Sequence, residues 1–167
     1  GKYVRLAKEY AYWVNYTNSN AAPDANNVYR KALASAPDKS VVFCSVGFLT
    51  NMRRLLETKG DQYSPLDGRA LVAKKVIAWC AMACKGPKGR EYNSMHDAQS
   101  SRIAIDQWPT PIYFSDFDLG RNIYAGRMVA ETKYAYRNPV KDIFVRSLPS
   151  REAVRAGKSW DKEEGGH

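Results

Sequence analysis

A chain of 167 residues with 26 Lys and Arg against 17 Asp and Glu carries a formal net charge of +9 and has the length of one ordinary domain. Its 44% hydrophobic and 26% charged residues exclude intrinsic disorder, and no apolar run reaches the length a bilayer requires. The basic residues are scattered (Arg53–Arg54, Lys74–Lys75, Lys85–Lys88–Arg90, Arg146–Arg151–Arg155–Lys158) and are not interleaved with stacking aromatics, so nucleic acid is a partner that the sequence allows but does not favour.

Lys2, Arg5, Lys8 and Glu9 interrupt the opening stretch, so no signal peptide is expected, and the compartment stays open. Gly1 rather than Met at the start is expected of a processed product or of a part of a longer one.

In chain order, residues 1–16 read as a helix rich in Tyr and Trp, and Thr17 to Pro23 as a polar connector. Asp24 offers an N-cap to the next helix, in which Ala25, Val28, Tyr29, Ala32, Leu33 and Ala36 form an apolar stripe ended by Pro37. Val41 to Val46 is a short continuous apolar run, which suits a strand buried on both faces of a parallel sheet. Gly47 turns the chain into a helix over Thr50 to Thr58 with Met52, Leu55 and Leu56 inward.

The pattern then repeats. Gly68 to Lys75 reads as a helix and Val76 to Met82 as a second buried strand, followed by a long loop from Ala83 to His96. Asp97 caps a helix running to about Trp108, and Pro111 to Phe114 gives a third strand. Helices are expected over Leu119 to Val129 and Pro139 to Leu148, and residues 149–167 form a loose polar tail. Strands alternating with helices define one α/β domain over residues 1–167, a mostly parallel sheet flanked by helices.

Cys44, Cys80 and Cys84 lie in or beside apolar runs and read as small buried hydrophobes. A Cys80–Cys84 metal pair would need further ligands, and the sequence holds no second pair of that kind.

Ligands of open α/β sheets sit beyond the carboxyl ends of the strands, which gathers Gly47–Asn51, Ala83–Asp97 and Ser115–Gly120 around one mouth. The same segments carry a resemblance. Val41–Asn51, ending Gly47-Phe48-Leu49-Thr50-Asn51, is similar to the hydrophobic strand and Gly-Pro-Leu-Thr-Asn of the inosine–uridine preferring nucleoside hydrolases. Met82-Ala83-Cys84 stands where that family has Met-Gly-Gly, and Glu91-Tyr92-Asn93 resembles its Glu-Phe-Asn. His96-Asp97-Ala98, Trp108-Pro109-Thr110-Pro111-Ile112 and Ser159-Trp160-Asp161 follow in the family's order, so the similarity covers most of residues 24–161.

The resemblance implies a partial nucleoside hydrolase-like fold and, by descent, cleavage of the N-glycosidic bond of ribonucleosides by calcium-activated water. It implies that Glu91 and Asn93 hydrogen-bond ribose hydroxyls and that Met82 lines the floor near the sugar. The backbone carbonyl of Thr50 and the carboxylate of Asp161 would be calcium ligands. The residues also allow plainer readings. Thr50 and Asn51 could cap a helix, Glu91 could pair with Lys88 or Arg90, and Asn93 could be a turn residue. Asp97 reads best as an N-cap, with His96 beside it, while Asp161 and His167 lie in a charged tail.

The family's opening strand, ending in an Asp-rich motif roughly Asp-x-Asp-x-x-x-Asp-Asp, supplies most calcium ligands and the base. Before residue 41 this chain has only Glu9, Asp24 and Asp38 as acids. Cys84 replaces a glycine, no asparagine precedes Glu91 within Lys85–Arg90, and no closing helix follows Asp161. The isolated chain is therefore expected to be catalytically incomplete and not to hold calcium alone, unless another chain completes the sheet. The alternative from another class is a non-catalytic α/β structural or binding subunit of a larger assembly, with a basic surface open to contact with nucleic acid. A third reading is a module that binds ribose or ribonucleoside without chemistry.

Overall fold

The computed structural model describes residues 8–11, 18–86, 88–120 and 138–142. The chain divides into two compact units, one of residues 20–123 and one of residues 1–19 with 124–167. In the latter, Tyr10 donates its hydroxyl to Asp142 at 2.8 Å, and the Asn138 carboxamide accepts the N–H of Val140 at 2.9 Å. The helices expected over 1–16, 119–129 and 139–148 and the tail 149–167 lie largely or wholly outside the described residues.

The larger unit is α/β. Helix α1 (Ala25–Ser35) leads to β1 (Val41–Ser45), α2 (Thr50–Leu56), α3 (Gly68–Lys75) and β2 (Val76–Ala81). A one-turn helix α4 (Tyr92–Met95), then α5 (Ala98–Gln107), β3 (Ile112–Phe114) and α6 (Phe117–Gly120) complete it. The strands form a parallel sheet in the order β1-β2-β3. The helix starts are written locally. Asp24 accepts the N–H groups of Asn26 and Asn27, Asp67 that of Ala70 and Asp97 that of Ser100. Gly68 can be nothing larger, because a Cβ there would lie 1.7 Å from the carbonyl oxygen of Leu55.

The core lies on one face of the sheet. Trp79, fully buried, packs its ring 4.6 Å from Trp108, which meets the edge of Phe43 at 5.7 Å, and Phe43 meets Tyr29 at 5.3 Å. The Trp79 indole N–H is satisfied by the Ser45 hydroxyl at 2.8 Å. Leu33, Met52, Leu55, Leu56, Leu71 and Val72 bring the helices onto this cluster.

Two expectations need correction. The strands are not buried on both faces: Val42, Cys44, Cys80 and Tyr113 are exposed. Strand order supplies the reason. Consecutive strands are neighbours with no reversal, and crossovers of one hand deliver their helices to the same face. The pattern in β2 is further broken where Val41 pairs with Val76 but Val42 with Ala78, leaving Ile77 as an extra, exposed residue. Cys44 and Cys80 are thus not buried hydrophobes, and Cys84 is half-buried.

The stripe of α1 is also rotated. Val28 is exposed, and Arg30 is buried instead. Its guanidinium grips Asp61 through Nε at 2.6 Å and a terminal nitrogen at 3.1 Å. It also donates to the Thr58 hydroxyl and to the carbonyls of Ser64 and Leu66. One side chain thereby organises the whole connector between α2 and α3.

No helix among the described residues is long and apolar enough to cross a membrane.

The Arg30 hydrogen bond, with the N–H groups of Ser64 and Tyr63, holds the Asp61 carboxyl at about 2 against an ordinary 3.8. A carboxyl depressed on folding stabilises the fold above its unfolded pKa, and that contribution fades as pH falls through the folded one. Denaturant midpoints should therefore drop between about pH 4 and pH 2, and Asp61→Asn should lower the midpoint at neutral pH while flattening this part of the profile.

Candidate functional site

All three strands point their carboxyl ends the same way, and the segments leaving them meet there. The N–H of Met82 bonds to the Ser45 carbonyl at 2.9 Å and that of Ser115 to the Ala81 carbonyl at 2.8 Å, so the ladders continue one residue past the strands. The turn after β1 and the loop after β2 then pack together. Phe48 stacks on His96 with centroids 4.2 Å apart and planes 11° apart, and it lies 5.6 Å from Tyr92. The Thr50 hydroxyl donates to Asp97 at 2.8 Å. That bond, with the hydroxyl and N–H of Ser100, holds the Asp97 carboxyl below the usual range, the Ser100 hydroxyl contributing most.

Glu91 is the pivot of the loop. It is buried and faces inward, away from the pairing with Lys88 or Arg90 that its neighbours suggest. One oxygen accepts the Asn93 N–H at 2.9 Å, the bond of an N-cap. The other accepts the N–H of Cys84 at 3.2 Å and both the N–H and hydroxyl of Ser94 at 3.0 Å. A carboxylate offers about four acceptor positions, so its first oxygen keeps one in hand.

Asn93 donates its amide to the Met82 carbonyl at 2.9 Å and approaches the Met82 sulfur at 3.1 Å. This orientation leaves its amide oxygen as an acceptor. Glu91, Asn93 and Met82 are thus brought together beside the turn that carries Thr50. Asp161 and His167 lie outside the described residues.

Two hollows border the site. One of about 380 Å³ follows the turn after β1, walled by Ser45, Gly47, Phe48, Thr50 and Asn51. Gly47 has nothing within 4 Å of where a Cβ would stand, so its backbone is open to a ligand. The other, about 650 Å³, lies among Lys85, Arg90, Glu91, Ser94 and Ser101. Both have the size of small-molecule clefts.

Thr50 begins α2, so its carbonyl is aimed along the helix, toward the bond every helical carbonyl makes four residues on. Among the described residues no group of three or more His, Cys, Asp or Glu is placed to hold a metal, whereas calcium takes roughly six to eight oxygens.

Sequence reasoning missed the one-turn helix at Tyr92–Met95, the inward turn of Glu91 and the aromatic group of Phe48, Tyr92 and His96. The first had a signal: Glu91 stands three residues before Ser94, the spacing of an acidic N-cap. Cys84 adopts φ of 64°, the left-handed conformation suited to the glycine it replaces in the resemblance. No family model, no curated protein and no solved structure matches the chain.

Glu91→Ala should cost about 2 kcal/mol in urea unfolding, because it removes the cap that accepts the N–H groups of Asn93 and Ser94 and one of the two acceptors of the Cys84 N–H. At the left-handed position, Cys84→Gly should be at least as stable as the parent. Cys84→Val should fall below Cys84→Gly by about 1–2 kcal/mol in the same measurement, since a branched Cβ crowds the carbonyl there.

Proposed function

We propose that this chain is the ribonucleoside-recognising part of a nucleoside hydrolase-like domain. The observation that carries the reading is the contact between the 47–51 turn and the 91–97 segment at the carboxyl ends of the strands, through Phe48 on His96 and Thr50 on Asp97. The segments that resemble the hydrolase motifs need to face one cleft, and this contact supports that arrangement.

The chemistry on offer suits a ribonucleoside. Vicinal hydroxyls are donors that seek fixed acceptors, and the amide oxygen of Asn93 with the spare position on Glu91 supplies two. Both belong to residues already held by other bonds, so little ordering is lost on binding. Phe48 and Tyr92, exposed beside them, offer ring faces for a base. Glycosidic cleavage needs an activated water and a base. In this reading the carboxylates for both come from beyond the described residues, either elsewhere in a longer protein or from a second chain completing the sheet. Calcium would be the metal of that completed site.

A non-catalytic subunit is the second reading, favoured by the exposed sheet face and by β1 and β3 each having one strand neighbour among the described residues. It requires no ligand in the cleft.

Calorimetric titration of the 167-residue chain separates the two. Saturable binding of inosine or uridine is expected, weaker for the 2′-deoxy analogues by about fivefold, the worth of one hydrogen bond. Asn93→Ala should weaken the ribonucleosides similarly and leave the deoxy analogues little changed. Failure of every ribonucleoside to bind would overturn the reading.

A further inference from the structure

The exposed face of the sheet holds a pair of thiols to which the proposed function gives no part. Cys44 on β1 and Cys80 on β2 are register partners across the parallel ladder, and both are free and exposed. Partners in register project to the same side of a sheet, here the side opposite Phe43 and Trp79. Tyr113 continues the row on β3, and Val42 stands two residues before Cys44 on the same face.

The spacing selects among the reactions open to a dithiol. Neighbouring strands run about 4.8 Å apart. A disulfide wants its Cβ atoms at about 3.8 Å, so closing one requires the two residues to lean toward each other across the ladder. A metal ion held between two thiolates spans more: with metal–sulfur bonds of about 2.3 Å, a linear S–M–S unit covers about 4.6 Å. That span is close to the strand separation.

The ligand count selects the ion. Zinc wants four ligands in a tetrahedron, and among the described residues no group of three or more His, Cys, Asp or Glu surrounds any point. Soft ions that accept two thiolates in a line need no more than this pair. The apolar flank of Val42 and the ring of Tyr113 suit a soft, weakly hydrated centre.

We propose that Cys44 and Cys80 form a two-coordinate site for a soft monovalent cation, with Cu(I) as its representative. Both thiols deprotonate on binding, so one Cu(I) is exchanged for two protons and the bis-thiolate carries one negative charge. No electron is transferred. The rigidity of a hydrogen-bonded ladder holds the two cysteines in register before the ion arrives, the advantage of any preorganised site.

The reduced full-length chain is titrated with Cu(I) under nitrogen against a chromophoric Cu(I) chelator. One equivalent per chain should be withheld from the chelator, and two protons should be released per ion in weakly buffered solution. Cys44→Ser and Cys80→Ser should each lose that equivalent, while Cys84→Ser keeps it. Serine on an exposed strand face preserves the fold, which circular dichroism checks, and Cys44→Ala provides a second variant of the same site. Retention of the equivalent by both single variants would overturn the proposal, as would its loss in Cys84→Ser or the absence of competition by the parent chain.

Discussion

A carboxylate buried at the mouth of a sheet is stable only if donors converge on it, and at Glu91 four do. Three of the four are backbone N–H groups, so the side chain constrains main chain on both sides of the loop after β2. It ties Cys84, at the loop's start, to the first turn of α4, at its end. Tyr92, Asn93, His96 and Asp97 take their directions from that short helix. A long glycine-containing loop would otherwise sample many conformations, and the contacts of Phe48 and Thr50 would have no fixed partners. The strained backbone at Cys84 belongs to the same construction, because its N–H must turn inward to reach Glu91 and Ser94.

Arg30 does for the helical layer what Glu91 does for the mouth. Burying a guanidinium is costly unless its donors are met, and Arg30 meets them with a carboxylate, a hydroxyl and two carbonyls. All of these partners lie in the connector between α2 and α3, which approach closely enough that Gly68 touches the Leu55 backbone. The helices therefore arrive on the sheet as a unit, and the Trp79–Trp108–Phe43 cluster fills the space between.

The two faces of this sheet have separated roles. One is a dry aromatic and aliphatic core, and the other presents Val42, Cys44, Cys80 and Tyr113 to the surroundings. The cleft lies at neither face but at the strand ends, where backbone groups leave the ladder. It is lined by polar acceptors held by their own hydrogen bonds and by exposed aromatic rings. Among the described residues no group of three or more His, Cys, Asp or Glu gathers there.

Much of the fold was legible as local pattern. Asp24 and Asp97 announced helix starts because a short carboxylate reaches the first free N–H groups of its own chain. The runs at Val41 and Val76 announced strands because β-branched and aromatic residues fit a pleated surface, and Gly47 and Asp97 bounded the segments that meet at the mouth. What the runs could not reveal was how many faces would be covered, since that depends on strand order and on which side the crossovers fall. The buried Arg30 was hidden for a similar reason: its partners stand 28 to 36 residues away, and a stripe of apolar letters carries no trace of them. Glu91 looked like a surface acid among Lys88 and Arg90, and only the approach of Cys84 and Ser94 turned it inward. Periodicity and capping act over a few residues and are written in the chain itself, whereas burial of charge and exposure of a sheet face are decided by neighbours that arrive from elsewhere.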